Sequence, residues 1–236
     1  QVWRSNVNAE FQLPYGFMLS VGAMYTRDIY NVVQKNMNEK APSGTYNEQP
    51  GRVYWTKNNY YDNPKTKTVI QLTNGDEKGY QYSFNAVLTK KFDFGFTGSF
   101  GYTYTMAKDM TANPGSSAAS VWQNNVAVNS LNDPGVSYSL FSTPHRLIAN
   151  ASYEVAYANM KTTVSLFYTG YQQGRFSYTY SNDMNGDGNY SDLMYVPASK
   201  EEMTFVDIKD KQNNVTYSAV DQQEDFWNYV NNDSYL

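Results

Sequence analysis

The chain has 236 residues, of which 41% are hydrophobic, and its 18 Lys and Arg against 22 Asp and Glu give a net charge of −4. The basic residues are scattered, so no basic stripe is available for a nucleic acid, and no nucleic-acid partner is expected. The lack of Cys excludes a disulfide framework and Cys-ligated zinc. No run approaches the roughly 18 consecutive apolar residues of a transmembrane helix.

The first predicted element is a β-hairpin. Apolar and polar residues alternate over residues 7–13, Pro14-Tyr15-Gly16 supplies the chemistry of a turn, and the alternation resumes over residues 17–26. A period of two indicates strands with one apolar and one polar face.

The second hairpin, residues 79–107 with a turn at Asp93-Phe94-Gly95, alternates most clearly. Its apolar positions are Tyr80, Tyr82, Phe84, Ala86, Leu88, Phe96, Phe100, Tyr102, Tyr104 and Met106. The residues between them are mainly Ser, Thr, Asn, Gln and Gly, whereas a soluble sandwich usually carries many Lys and Glu there. This combination is typical of a wall between lipid and a wet lumen.

A third hairpin is predicted from residues 146–155 and 160–168, which brings the count to at least six strands. The hairpins join at their other ends through long polar segments, roughly 36–67, 109–144 and everything after 181. Short turns at one rim and long loops at the other are typical of bacterial outer-membrane barrels. Val69–Leu72 is expected to add a strand portion with Asn74-Gly75 as its turn.

The predicted fold class is therefore all-β: an antiparallel up-and-down transmembrane β-barrel segment with three hairpins, long extracellular loops and a short loop helix near 218–232. Six strands are too few to close a barrel, for which eight is the usual lower limit. We therefore expect residues 1–236 to be part of one β-barrel domain, with the closing strands outside this chain.

Several short landmarks follow one another from about Val69 onward. They are Gly79-Tyr80, Phe100-Gly101-Tyr102-Thr103-Tyr104-Thr105, Ser142-Thr143-Pro144-His145-Arg146-Leu147, Gly170 to Gly174, Asp183 to Pro197, Phe226-Trp227 and Tyr235-Leu236. In this order they resemble the TonB-dependent outer-membrane receptors of Bacteroidota, in the Oar-like branch that carries a carboxypeptidase-regulatory-like N-terminal domain. The first 68 residues fit only as generic barrel.

The resemblance implies a parent barrel of about 22 strands with an N-terminal plug domain, which lies outside this chain. Such a receptor binds and imports a nutrient, for example an oligosaccharide or a peptide. The implied partners are outer-membrane lipid and the TonB complex, the latter through parts of the parent absent here; a surface lipoprotein partner is left open. The implied location is the cell outer membrane of a Gram-negative bacterium.

A series of oxygen-bearing side chains follows the sixth predicted strand. The candidate metal ligands are Asp183, Asn185, Asp187 and Asp192. The first three have the spacing of positions one, three and five of a calcium loop, with Gly188 at position six. Position twelve is Met194 instead of Glu. Two interpretations stay open: a structural Ca²⁺ site, and an Asx- and Gly-rich turn series without metal, which we favour. No other cofactor is expected.

Two groups of aromatic residues belong to the predicted outer loops and strand ends. They are Tyr54, Trp55, Tyr60 and Tyr61 in the first loop, and Tyr171, Phe176, Tyr178 and Tyr180 after the sixth strand. Both groups can supply a ligand platform above the pore. The alternative for the second group is the aromatic girdle at a membrane interface, and for the first group it is ordinary loop packing.

Enzymatic chemistry is not expected, and we predict no catalytic residue. His145 is the only histidine, so no His pair is available for zinc, and no nucleophile motif accompanies it. The main alternative to the receptor is a soluble or surface-exposed all-β carbohydrate- or peptide-binding or adhesin module. A secreted β-sandwich hydrolase is a third hypothesis that lacks a visible site.

Overall fold

The computed structural model describes residues 1–56, 59–61 and 68–234, so the landmark Tyr235-Leu236 lies outside the described residues. The strands are β1 (Val2–Leu13), β2 (Phe17–Asp28), β3 (Val32–Asn36), β4 (Gly44–Thr45), β5 (Val53–Tyr54), β6 (Ile70–Asn74), β7 (Tyr80–Lys91), β8 (Phe96–Asp109), β9 (Ser137–Tyr138), β10 (His145–Tyr157), β11 (Met160–Tyr171), β12 (Ile208–Lys209) and β13 (Val215–Tyr217). The helices are α1 (Ala118–Asn124) and α2 (Ala219–Asn232), with 3₁₀ turns at Pro14–Gly16 and Lys200–Glu202. Neither α-helix of this described part is long and apolar enough to cross a membrane.

The chain divides into two compact units. Unit 1 consists of Gln1–Lys35, Ile70–Asn125 and Pro134–Ser177, and unit 2 of Asn36–Val69, Val126–Asp133 and Tyr178–Leu236. The three segments of unit 2 come from the three long connections that the sequence predicts as loops.

Unit 1 is dominated by one antiparallel sheet with the strand order β1-β2-β7-β8-β10-β11, to which β9 adds beside β8. The prediction of an antiparallel all-β fold with three consecutive hairpins is confirmed, as is the helix near 218–232, which is α2. Among the described residues the sheet does not close on itself, and β1 and β11 are its two edges.

The register places most of the apolar residues of the six long strands on one face, with exceptions such as Val87, Ile148 and Phe167 on the other. One row across the sheet is Ala9, Val21, Ala86, Tyr102, Leu147 and Gly170, and the next row toward the short turns is Phe11, Leu19, Leu88, Phe100, Ala149 and Tyr168. Because side chains alternate with a period of two, a slip of one residue in any pair would break both rows. The apolar positions predicted for the separate strands therefore line up with one another across the sheet.

The opposite face is polar and closely packed around Gly22. Asn8 and Asn85 pair with Gly22 from the two neighbouring strands. A Cβ at Gly22 would collide with the side-chain oxygen atoms of both asparagines. A side chain at this position would therefore displace the polar residues on either side.

The short turns use backbone conformations with positive φ. Tyr15 and Gly16 have φ of 62° and 75°, Gly95 has φ of 91°, and Ala158 and Asn159 have φ of 44° and 62°. Two consecutive positive φ values between paired strands match the right-handed twist of a hairpin, as in a type I′ turn. The third turn is therefore the two-residue Ala158-Asn159 connection, shorter than the sequence suggests.

Gly95 allows a direct test of the second hairpin. A Cβ at Gly95 would collide with the carbonyl oxygen of Glu154, whereas a Cβ at Gly16 meets nothing within 4 Å, although both glycines have positive φ. The left-handed conformation costs a non-glycine residue roughly 1–2 kcal/mol. Gly16→Ala should lose about that much free energy of unfolding, and Gly95→Ala clearly more, in urea titrations followed by circular dichroism. Equal losses would contradict the contact between Gly95 and Glu154.

The structure departs from the sequence prediction in two local elements. The strand expected near Val69–Leu72 exists as β6, but it pairs with β3, and the chain bends at residues 76 and 77 instead of at Asn74-Gly75. Helix α1 was not predicted. It begins with a capping box, in which Ser117 and Ser120 each accept a hydrogen bond from the other residue's backbone N–H.

Candidate functional site

Unit 2 contains the predicted metal-ligand series and most of the predicted loop aromatics. Arg52 lies at its centre and is only 4% exposed. Its Nε and Nη2 donate to the carbonyl oxygen of Val128 at 3.3 and 3.1 Å, and Nη2 also donates to the carbonyl oxygen of Leu193. One side chain thereby joins all three segments of the unit.

Asp183 organises the loop that carries the predicted metal ligands. Its Oδ1 accepts the backbone N–H of Gly186 at 2.7 Å, and its Oδ2 accepts that of Gly188 at 2.9 Å. Both glycines have positive φ, 80° and 89°. At Gly186 a Cβ would collide with the carbonyl oxygen of Trp55, so the loop packs tightly against the first long connection.

Asn185, Asp187 and Asp192 are buried at 2%, 2% and 4% exposure. Asn185 donates from Nδ2 to the carbonyl oxygen of Asn129 at 3.0 Å and accepts the N–H of Asp187 at 2.9 Å. Asp192 Oδ2 accepts the N–H of Met184 at 2.9 Å. These four candidate ligands therefore come together in one loop, and each of them accepts backbone N–H groups there.

A fourth acidic residue, Glu39, lies beside this loop and is not among the candidates that the sequence indicates. Glu39 forms a β-bridge with Tyr60, and the Tyr60 hydroxyl donates to the carbonyl oxygen of Asp187 at 3.1 Å. Glu39 is 8% exposed, and its Oε2 accepts a weak hydrogen bond from Ser130 at 3.4 Å. Because Glu39 is far from residue 183 in sequence, no local spacing could have indicated it.

Burial keeps these carboxylates from ionising easily. Desolvation, followed by repulsion from Asp187, raises the pKa of Glu39 to about 7. Desolvation also raises the pKa of Asp187 to about 6, with repulsion from Asp192 and Asp183 adding to it. The pKa of Asp192 is raised for the same leading reason, although Arg52 opposes the shift.

The geometry of the loop bears on both interpretations of the predicted metal ligands. In residues 1–56, 59–61 and 68–234 no group of three or more His, Cys, Asp or Glu side chains is close enough to hold a metal ion as it stands. Asn185 is turned toward backbone partners, which is what the turn-series interpretation expects. The turn-series interpretation does not explain why several carboxylates, among them Asp187 and Glu39, are buried close together.

The first group of predicted aromatics is built into unit 2. Trp55 is buried and donates from Nε1 to the carbonyl oxygen of Lys40 at 2.8 Å, and its backbone N–H donates to the carbonyl oxygen of Asn185 at 2.7 Å. Tyr54 packs against Tyr46 with ring centroids 5.2 Å apart. The Tyr60 hydroxyl donates to the carbonyl oxygen of Asp187, and Tyr61 is 69% exposed. Tyr61 alone in this group presents most of its surface to solvent.

The second group is divided between the two units. Tyr171 and Phe176 belong to unit 1 and are 67% and 62% exposed. Tyr178 belongs to unit 2, where its hydroxyl donates to Asp233 at 3.0 Å and accepts from Tyr229 at 2.6 Å. The hydrogen bond with Tyr229 and desolvation raise the pKa of Tyr178. Tyr178 therefore anchors α2 through polar contacts.

Tyr180 lines a cavity of about 420 Å³ in unit 2. The cavity has aromatic and thioether walls with two carboxylates beside them. Its lining is Glu48, Gln49, Tyr180, Met194, Tyr195, Pro197, Glu202, Met203, Thr204, Phe205 and Phe226. Its size falls within the range of small-ligand sites. Only Tyr180 of these residues was a predicted ligand contact, because the rest come from segments whose sequences indicate only loop or helix.

His145 is part of the apolar face of the sheet at the start of β10. Its Nδ1 forms a hydrogen bond of 2.6 Å with the Tyr102 hydroxyl, and its ring stacks on Tyr102 with centroids 6.1 Å apart. No Ser or Cys is among these contacts. The hydrogen bond between His145 and Tyr102 therefore links β10 to β8 at the start of β10.

No protein-family model, no curated protein and no solved structure matches this chain.

Proposed function

We propose that the chain is part of the barrel wall and outer loops of an outer-membrane TonB-dependent receptor that binds and imports a nutrient. The observation that carries the proposal is the continuous apolar face of the six-stranded sheet. Val7, Phe84 and Leu166 on this face are 73%, 54% and 71% exposed. Contiguous exposed apolar surface of this extent marks contact with a membrane or another protein.

Aromatic residues at the two ends of this face support a lipid environment. Near the short turns, the rings of Phe92 and Phe94 lie 5.2 Å apart, and those of Phe92 and Phe96 lie 5.6 Å apart. Near the long connections, Trp3 packs against Tyr25 and Tyr82 against Tyr104. Aromatic girdles of this kind flank the apolar band of outer-membrane barrels.

The length of the strands fits the same picture. From Phe96 to Met106, β8 extends about 34 Å at roughly 3.4 Å per residue. At the tilt of about 40° that is common in such barrels, this corresponds to roughly 26 Å along the membrane normal, close to the apolar band of about 25 Å. The rows between the two aromatic ends contain mainly small and aliphatic side chains.

The two free edges of the sheet support a wall that continues. β1 and β11 each present an unpaired row of backbone N–H and C=O groups in the described sheet. Such groups cannot be left unpaired in lipid, since each costs several kcal/mol. Further strands would therefore pair with both edges in the membrane.

Unit 2 gives the proposed receptor a folded ligand-binding element. Its three segments come from the long connections, which are extracellular in this class of barrel. The cavity around Tyr180 and Phe226 is the best place for recognition, since aromatic walls bind saccharide rings and apolar peptide side chains equally well.

The alternative is a surface-exposed carbohydrate- or peptide-binding module, which the same cavity would also serve. The two functions differ in the apolar face. A soluble module leaves a sheet face of this kind in water or covers it with another layer, whereas a receptor places it in lipid.

Co-flotation tests the proposal. The full-length protein that carries this chain should float with phosphatidylethanolamine vesicles in a density gradient, resist extraction by urea, and migrate differently in gel electrophoresis with and without boiling. Recovery of a soluble, detergent-free protein from the same preparation would refute the membrane location.

A further inference from the structure

Glu39 is a buried carboxylate whose charge has no compensating partner among the described residues. Within residues 1–56, 59–61 and 68–234 its Oε1 has no hydrogen-bond partner, although the residue is only 8% exposed. Ionised carboxylates removed from water are almost always paired with a cation or coordinated to a metal. Glu39 therefore requires either a proton or a positive charge that the described side chains do not supply.

An acidic neighbour of Glu39, Asp187, increases this requirement. Asp187 is 2% exposed, and its charge repels that of Glu39. Asp187 Oδ1 accepts the N–H of Asn189 at 2.7 Å, whereas its Oδ2 has only a 3.5 Å contact with Asn185 Nδ2. Glu39 Oε1 and Asp187 Oδ2 can therefore both accept a further ligand contact.

Further negative charge surrounds the pair. Asp183 and Asp192 both act electrostatically on Asp187, and Asp183, Asp187 and Glu39 all act on the Tyr60 hydroxyl. None of the ion pairs found in the described part of the chain includes any of these four carboxylates. The guanidinium of Arg52 acts on Asp192 but donates its hydrogen bonds to neutral acceptors.

We propose that unit 2 binds one Ca²⁺ between Glu39 and Asp187, with the loop of Asp183 and Asp192 closing around the ion. The site then joins two chain segments, since Glu39 comes from the first long connection and Asp187 from the last. This inference is independent of the proposed receptor function, and it differs from a calcium loop whose ligands are all local.

The donor set selects calcium. Carboxylate and carbonyl oxygens are hard ligands, and Ca²⁺ accepts six to eight of them in flexible geometry, with water completing the shell. Zinc is disfavoured because the neighbourhood offers no His or Cys. Mg²⁺ demands near-ideal octahedral geometry and gives up its waters reluctantly, so a buried set of protein oxygens favours the more adaptable Ca²⁺.

Calorimetry on the full-length protein, stripped with EGTA and held at pH 7.5, tests the site with Ca²⁺ itself as the probe. The unmodified protein should bind one Ca²⁺ with a Kd of roughly 10⁻⁴ M, as extracellular calcium modules do. Glu39→Gln, which keeps the shape of the side chain, should weaken binding at least tenfold. Asp187→Asn should abolish it, and Glu201→Gln, at an exposed glutamate of the same unit, should leave it unchanged.

Terbium luminescence gives a second readout that does not depend on heat. Trp55 lies against the loop at Asn185 and Gly186, so its excitation should sensitise Tb³⁺ bound there, and Ca²⁺ should displace the signal. Circular dichroism in EGTA checks that each variant is folded. If the unmodified protein binds neither ion, Glu39 and Asp187 hold a proton and the site is refuted. Unchanged affinity in folded Glu39→Gln refutes the two-segment site as well.

Discussion

Replacing Arg52 with methionine should destabilise unit 2 by about 3 kcal/mol. The buried Arg52 side chain donates to the carbonyl oxygens of Val128 and Leu193, and a hydrogen bond from a charged group contributes roughly 1.5–3 kcal/mol. Methionine fills a similar volume, so the loss reports the missing hydrogen bonds more than a cavity. Asp192 also loses the nearby positive charge that favours its ionised form.

Hydrogen exchange measures this effect where it should occur. Amides of residues 126–133 and 191–193 should exchange faster in Arg52→Met, because the segments that Arg52 joins open more often. Arg52→Lys should show an intermediate loss, since lysine keeps the charge without the planar group that reaches both carbonyls. Arg4→Met removes an exposed arginine and should stay within about 0.5 kcal/mol of the unmodified protein. Equal protection in Arg52→Met and Arg4→Met would contradict the central role of Arg52.

The sheet could be predicted from the sequence because its signal is local. Each strand carries its own alternation, and each turn has residues that accept positive φ, such as Gly16 and Asn159. The common phase of the six strands then follows, because only one register places Leu88 beside Leu19 and Phe100 on the same face. Helix α2 could be predicted from a local pattern as well, since its apolar residues recur at helical spacing.

Unit 2 could not be predicted because its contacts join distant residues. Arg52 reaches Leu193, and Tyr46 donates its hydroxyl to the carbonyl oxygen of Met184 at 2.8 Å. Polar, Asn-rich segments indicate loops when each is considered alone, yet here their side chains satisfy one another's backbone groups, as Asn132 does for Asn36. Burial of such residues becomes visible only when the three segments are brought together.

The difference between local patterns and contacts of distant residues also explains which residues of the candidate metal site the sequence indicates. Spacing identified Asp183 and Asp187, because ligands within one loop are a local pattern. Glu39 lies near this loop because it forms a β-bridge with Tyr60, whose hydroxyl donates to the carbonyl oxygen of Asp187. The local pattern therefore indicated the loop residues of the proposed site, whereas Glu39, whose buried Oε1 lacks a partner among the described residues, could not be found from spacing.

Replacing Phe100 with arginine should sharply reduce membrane assembly, whereas arginine at the adjacent Ser99 should be tolerated. Phe100 lies on the apolar face of β8 and is 54% exposed, and Ser99 lies on the opposite face beside Thr89 and Asn150. Arginine on the lipid face near the bilayer midplane costs about 2–4 kcal/mol, while a lumen position keeps the charge in water.

Both variants introduce arginine into the same strand at neighbouring positions, so they place the same charge on opposite faces of the sheet. Folding into phosphatidylcholine vesicles, followed by the heat-dependent gel shift and by urea titration, should place Phe100→Arg about 2–4 kcal/mol below the unmodified protein. Ser99→Arg should stay within about 1 kcal/mol of it. If Ser99→Arg were the more damaging, the polar face would be the one packed in the molecule, and the apolar face would not be the lipid surface on which the receptor proposal rests.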